Sequence, residues 1–359
     1  MTETAAITRR VRGEARKKSP NLFNNHARSS KNKTVAYHCL IALIGLIVTQ
    51  FVAGAQVSQP AQSRPDGEYT IKLNADMVIL SATVLDSHNA LVSGLGKDNF
   101  EVYEDRVAQQ IKHFSHEDIP VTVGILVDNS GSMGPKRDDV IAAAMDFARS
   151  SNPQDQMFVV NFNDRVSFGL PADKPFTDRQ DQLLLALSAI RAIGQTSLYD
   201  GIAAGLDHLK QGNRDKKVLI LISDGGDNAS KHSVAQVIGM AKQSTVIIYA
   251  IGIFDEHDGD QNPGVLKRFA KETGGVAYFP ESLKDIGPIC EMIARDIRNQ
   301  YTLTYAPKVT SQDGRYRTIQ VTAIAPGAGR LSVRTRTGYS VPLSTPTAAS
   351  ETTSHDTRN

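Results

Sequence analysis

The stretch Val121-Thr122-Val123-Gly124-Ile125-Leu126-Val127-Asp128-Asn129-Ser130-Gly131-Ser132-Met133 decides the fold. An apolar, largely β-branched run ends in Asp-x-Ser-x-Ser, and a helical pattern follows. Such a run reads as a strand covered on both faces. The polar residues at its carboxyl end then lie where open α/β sheets bind ligands. Asp128, Ser130 and Ser132, at alternate positions, can turn one carboxylate and two hydroxyls onto a small hard cation. Oxygen donors without Cys or His suit Mg²⁺, Mn²⁺ or Ca²⁺ rather than zinc. The competing reading is capping, because Asp and Ser after a strand are also preferred turn and N-cap residues.

Two stretches further on weigh against capping alone. Gly194-Gln195-Thr196-Ser197-Leu198-Tyr199-Asp200 places Thr196 in a loop just before a helix, which Tyr199 and Asp200 begin. Lys217-Val218-Leu219-Ile220-Leu221-Ile222-Ser223-Asp224 is a second apolar strand that ends in a carboxylate.

Working outward, strand runs at 157–162, 218–222 and 245–253 alternate with helical stripes. These stripes are Ile141/Ala144/Met145/Ala148, Leu183/Leu184/Leu187/Ile190, Leu198/Ile202/Leu206/Leu209, Val234/Val237/Ile238/Ala241 and Leu266/Phe269/Ala270. A last stripe runs through Ile286, Ile289, Cys290, Ile293 and Ile297, which makes Cys290 a core thiol. The alternation predicts an α/β unit over 119–299, a doubly wound, mostly parallel, Rossmann-like sheet. The flanks differ. Residues 67–116 carry β-type runs at 69–73, 77–85, 100–103 and 108–114. Residues 300–341 carry three more, at 300–306, 315–324 and 330–337, with turns at Asp313-Gly314 and Pro326-Gly327. Neither flank makes a core alone. The two are expected to pair as halves of one small antiparallel β-sandwich with the α/β unit inserted between them. Residues 56–66 read as a polar, proline-bearing linker. Residues 342–359 read as a Ser/Thr-rich disordered tail.

The order Asp-x-Ser-x-Ser, Thr, Asp, each at a strand or loop end, resembles the metal-ion-dependent adhesion site of von Willebrand factor type A domains. The wider layout resembles the exported bacterial proteins related to that family, over roughly residues 68–341. Val92-Ser93-Gly94-Leu95-Gly96-Lys97-Asp98-Asn99-Phe100-Glu101-Val102-Tyr103-Glu104-Asp105 and Arg336-Thr337-Gly338-Tyr339 carry that likeness with the central motif. The resemblance implies Ser130, Ser132 and Thr196 as hydroxyl ligands and Asp128 and Asp224 as carboxylates, binding directly or through water. Two carboxylates neutralise a divalent ion, and three neutral hydroxyls complete most of an octahedron. One position stays open for water or for a partner's Asp or Glu. Gly131 and Gly225 are expected to let the backbone turn tightly around the ion. Asn129, Met133, Gly134 and Asn228 are expected at the rim that meets the partner.

Charge is uneven along the 359 residues. The first 38 hold nine of the 40 basic residues and two of the 38 acidic ones, and 39–55 hold none. From residue 56 onward the chain is mildly acidic, so no basic patch points to nucleic acid. The basic leader (1–38) before the apolar segment 39–55 reads as an export signal. Ala53-Gly54-Ala55 offers a cleavage site; uncleaved, the segment reads as a signal anchor and the chain's contact with a membrane. Either way the rest is expected outside the cytoplasm, secreted, periplasmic or tethered to the inner membrane.

Enzyme readings lack their residues. Ser130 has no Gly-x-Ser-x-Gly elbow, and no Gly-x-x-x-x-Gly-Lys-Ser/Thr phosphate loop occurs. A phosphoryl-transfer aspartate at 128 would want a second Asp at position 130, where Ser stands. The acidic run 255–262 fails the calcium-loop pattern, which needs Gly where Pro263 lies. The nine histidines show no paired zinc spacing. The expected function is a non-enzymatic, Mg²⁺-dependent module binding a protein that presents Asp or Glu. The alternatives are a scaffold whose metal is structural and whose sandwich makes the contacts, and a metal-dependent hydrolase.

Overall fold

The computed structural model describes residues 77–254, 260–309, 313–327 and 329–341. The leader, the apolar segment, the linker, the strand expected at 69–73 and the tail lie outside the described residues. No helix among the described residues is long and apolar enough to cross a membrane.

In chain order, β1 (Val78–Leu85), β2 (Phe100–Glu104), β3 (Val107–Gln109) and β4 (Ile111–Ser115) precede the α/β unit. That unit runs β5 (Val121–Asp128), α1 (Arg137–Ser150), β6 (Gln156–Phe162), β7 (Val166–Phe168), α2 (Gln180–Ser188), α3 (Leu198–Leu209), β8 (Lys216–Ser223), α4 (Val234–Gln243), β9 (Ile247–Gly252), α5 (Pro263–Thr273), β10 (Ala277–Tyr278) and α6 (Ile286–Arg298). Then β11 (Tyr301–Tyr305), β12 (Tyr316–Ala323), β13 (Ser332–Arg334) and β14 (Gly338–Ser340) close the chain.

Six strands form the central sheet in the order β10-β9-β8-β5-β6-β7, parallel except for the hairpin strand β7. Every residue of β5 is buried, and strand parity divides its side chains between two helical layers. Val123, Ile125 and Val127 enter the core made with Phe147 of α1 and Cys290 and Ile293 of α6. Leu126 enters the opposite core with Phe158, Ile202 and Leu206. Cys290 is fully buried, and burial pushes its thiol up to about 12, as an inert core residue requires.

The flanking strands form two four-stranded antiparallel sheets, β13-β1-β11-β4 and β14-β12-β2-β3. Each sheet mixes strands from both flanks, and their inner faces share one core that includes Leu80, Val84, Val102, Tyr301, Leu303 and Tyr305. The expected doubly wound sheet inserted between two β halves is the observed architecture. Two expected strands divide. Residues 108–114 split at Gln110, because β3 pairs with β2 and β4 pairs with β11. The chain changes sheets there, as strands do at sandwich corners. Residues 330–337 split likewise into β13, on β1, and a turn before β14, on β12. The flanking motifs have a structural role here. Tyr305 and Tyr339 both donate hydroxyls to the buried Glu104, at 2.6 and 2.9 Å. Arg336 donates to the carbonyls of Gly338 and Lys242 at 2.7 and 2.6 Å, tying β14 to the end of α4.

Lys216, the first residue of β8, is 7% exposed and donates to the Ile297 carbonyl at 2.9 Å. Burial pulls its ammonium from 10.5 down to about 8, against the attraction of Asp118, Asp296 and Asp155. A base pulled down folds best uncharged, so stability is lost as pH falls from about 10.5 to about 8 and the deficit persists below. Lys216→Met keeps the apolar stem and is expected to gain about 1–3 kcal/mol at pH 7. It should also flatten the rise of Tm between those two pH values. A lower Tm for the variant at pH 7 would show that the contact with Ile297 outweighs the desolvation.

Candidate metal centre

Because β5 and β8 are hydrogen-bonded neighbours in parallel register, with Val127 opposite Ile222, their carboxyl ends abut. This places Asp128 and Asp224 side by side, 2% and 3% exposed. Ser132 Oγ donates to Asp224 Oδ2 at 2.8 Å, across 92 residues of sequence. Ser130 Oγ lies 3.2 Å from Ser132 Oγ, and Ser130 N donates to Asp128 Oδ1 at 2.9 Å. The far oxygen of Asp128 accepts from Ser223 Oγ at 2.6 Å, and Asp224 Oδ1 accepts from Gly226 N at 3.0 Å. Capping does not account for the serines. Ser130 stands at the N-cap of a short 3-10 turn, Gly131–Lys136, yet its side chain makes no cap hydrogen bond. Both hydroxyls are turned toward each other and the carboxylates.

Thr196 is buried and held through its backbone. Its N–H donates to Asn228 Oδ1 at 2.9 Å, and its carbonyl accepts from the N–H groups of Asn228 and Ala229, each at 3.0 Å. The same loop is stitched to the serine loop by Gly131 N to Gly194 O, 3.0 Å, and Ile193 N to Asn129 O, 2.9 Å. Asp164 accepts from Gln195 N at 2.9 Å. Its carboxylate lies where a side chain on Gly194 would stand, and Gly194 has φ +87°, so glycine is required there. Gly225 is required too, with φ +83° and the Asn262 carbonyl 2.5 Å from where its Cβ would be. Gly131 is a correction. It begins the 3-10 turn with negative φ, and a Cβ there would meet only ordinary contact, 3.6 Å from Gly194 O.

Among the described residues, no Lys or Arg forms an ion pair with Asp128 or Asp224. Burial, reinforced by the charge of Asp224, pushes Asp128 up to about 6, against the hydrogen bonds from Ser223 and Ser130. Two adjoining buried carboxylates without a cation, ringed by hydroxyls, fit a hard divalent ion better than they fit one another. No group of three or more His, Cys, Asp or Glu among the described residues suits a softer metal.

The rim differs in part from expectation. Gly134 and Asn228 are exposed. Asn129 and Met133 are 1% exposed and face inward. Asn129 Nδ2 donates to Val127 O at 3.1 Å and Asn161 Oδ1 at 3.0 Å, so it braces β5 against β6. Met133 packs into the core under α1. The exposed apolar residue beside the centre is Ile193, 66% exposed, which sequence reasoning passed over. Ser223 and Asp164 were missed as well. Ser223 carried a signal, being the polar residue at the end of an apolar strand. Asp164 carried none, since its role depends on the fold of the Gly194 loop. Asp200 lies in the first turn of α3 and accepts from Lys231 N, His232 N and the His232 ring, at 3.0, 2.9 and 2.7 Å. It therefore anchors the loop that carries Asn228.

Residues 122–290 match the von Willebrand factor type A domain. No curated protein matches the sequence. Among solved structures, an aerotolerance-related membrane protein from Bacteroides fragilis is 15% identical, with a TM-score of 0.41 over 49% of this chain and 98% of that one. A von Willebrand factor type A protein from Catenulispora acidiphila is 13% identical, with a TM-score of 0.45 over 77% and 76%. Proximal thread matrix protein 1 of the mussel byssus, with a zinc-occupied adhesion-site motif, is 18% identical, with a TM-score of 0.44. That match covers 54% of this chain and about half, 49%, of the mussel chain.

Proposed function

We propose that this chain is a non-enzymatic, Mg²⁺-dependent protein-binding module working outside the cytoplasm, and that it captures an Asp or Glu of its partner. The observation that carries this reading is the hydrogen bond from Ser132 to Asp224 at 2.8 Å, which joins two distant loops around a pair of buried carboxylates. Asp128 and Asp224 would hold the ion by charge, and Ser130, Ser132 and Thr196 would hold it as neutral oxygens. The bound ion, Mg²⁺ or else Mn²⁺ or Ca²⁺, supplies an electrophilic position for a carboxylate. The exposed residues Ile193, Gly134 and Asn228 would border that position and meet the partner's flanking side chains. A hydrolytic reading gains nothing from the surroundings, since no described His hydrogen-bonds to Ser130 or Ser132. The location rests on the basic leader and the apolar segment behind it.

Calorimetry with Mg²⁺ and Mn²⁺ is expected to find one saturable site, lost in Asp128→Ala and weakened in Thr196→Ala by at least the roughly 10–100-fold that losing even an outer-shell partner costs. Adding acetate to the Mn²⁺-loaded protein should lower its water-proton relaxivity, because a carboxylate then takes the open position. No site at millimolar metal, or one that both variants retain, would sink the reading.

A further inference from the structure

We propose that the groove between the C-terminal half of α5 and the sandwich edge at β13 is a second docking site, taking an acidic partner segment in extended conformation. The groove has a volume of about 610 Å³. Four cations line it, Lys267, Lys271, Arg334 and Arg336, and no carboxylate does. Arg334 is paired with Asp296, and Arg336 is spent on backbone carbonyls. Lys267 and Lys271 remain. They are exposed, sit four residues apart on one side of α5, and form no ion pair among the described residues. The ammonium of Lys267 stands over the Phe279 ring, 5.1 Å from its centroid, a contact that leaves its charge uncompensated. The one acidic residue of α5, Glu272, is already paired with Lys242 at 3.3 Å and accepts from Thr337 Oγ1 at 2.6 Å.

Five consecutive residues, 333–337, line one side and three, 275–277, line another. Of these, 333–334 belong to β13 and 277 to β10, so the groove passes the end of each strand. Both strands are sheet termini: β13 ends one four-stranded sheet, and β10 ends the central six-stranded one. Unpaired edges are templates for an added strand. The apolar lining, which includes Val276, Val333 and Val321, would receive alternate side chains, and the lysines would receive the acidic ones between them. The site is separate from the metal centre. Asn262, at the N-cap of α5, donates to the Asp224 carbonyl at 3.1 Å, whereas the groove's lysines, Lys267 and Lys271, lie roughly 7 and 14 Å of helix further on.

The test is fluorescence anisotropy with a labelled peptide, Glu-Val-Glu-Val-Glu-Thr-Glu-Val, titrated with the full chain. Saturable binding is expected, and it should survive chelator and the Asp128→Ala change, which separates this site from the metal-dependent one. The pair Lys267→Glu with Lys271→Glu should weaken it about tenfold or more, as the loss of two charge-assisted contacts implies. Both lysines are exposed, so the variant should fold, and an unchanged Tm would establish that. The counterpart with Lys in place of every Glu should not bind, and the counterpart with Ser in place of every Val should bind more weakly. No saturation, indifference to the charge reversal, or equal binding of either counterpart would overturn the proposal. Binding abolished by chelator would also overturn it, by placing the peptide's carboxylates on the metal centre.

Discussion

Stripped of divalent metal, Asp128→Asn is expected to unfold at a higher temperature than the wild-type protein; in excess Mg²⁺ the order is expected to reverse. The first half follows from burial. Asp128 is 2% exposed, beside Asp224, and ionises only at about 6 rather than 3.8. At pH 7 the folded protein therefore bears an ionisation cost of about 3 kcal/mol that the unfolded chain escapes. Asn has the same shape. Its Oδ1 can still accept from Ser130 N, and its Nδ2 can donate to Ser223 Oγ once that hydroxyl turns. Removing the charge should thus raise Tm by roughly 6–12 °C at most, for a domain of this size. The second half follows from linkage. A metal that binds only the folded protein stabilises it by about 4.1 kcal/mol at a thousand times its Kd, more than the ionisation cost. The variant forfeits this with its carboxylate. If Asp128 were only a turn residue, the substitution would act alike in both conditions. Thermal melts in chelator and in Mg²⁺ decide the matter by the sign of one difference.

The α/β unit was legible because strands covered on both faces must be apolar along their covered length, as 123–127 and 218–222 are, and few other elements look like that. The inserted arrangement was legible because neither flank could form a core alone. Other features needed the third dimension. The run 108–114 reads as one strand through Gln110, and nothing local marks the change of sheet. Asn129 and Met133 sit in a polar loop, and only the turn back under α1 buries them. The oxygen-bearing residues were picked out by type and order. Their bracing by Ser223, Asn228 and Asp164 was not, because loops 30 or more residues apart meet only once the sheet has formed. The groove beside α5 is invisible for the same reason, being built from a helix of the α/β unit and a strand of the sandwich.

The largest loss of stability is expected far from the metal centre, on removal of the Arg334 guanidinium. Asp296, on α6, is 3% exposed and joins three layers. It accepts Thr83 Oγ1 of β1 at 2.9 Å and the Tyr249 hydroxyl of β9 at 2.8 Å, and it pairs with Arg334 of β13. Gln300 adds a bond to the same tyrosine at 3.1 Å. Burial, with the charge of Asp296 beside it, keeps the Tyr249 phenol protonated well above its ordinary range, so the phenol stays a donor. Arg334→Met leaves a buried carboxylate facing two neutral hydroxyls, and breaking such a pair costs about 3–5 kcal/mol. Replacing both partners, Arg334→Met with Asp296→Asn, removes the stranded charge and should restore most of that loss, to within about 1–2 kcal/mol of wild type. Urea unfolding of the two single variants and the double completes the cycle. A double variant no better than Arg334→Met would mean that the guanidinium holds the junction by packing rather than by charge. The shape of the curve carries a second result. If this carboxylate is what makes sandwich and α/β unit unfold together, wild type will show one transition. Arg334→Met will then show two, with the sandwich melting first, because its small core must then stand without the helix that Asp296 brings to it.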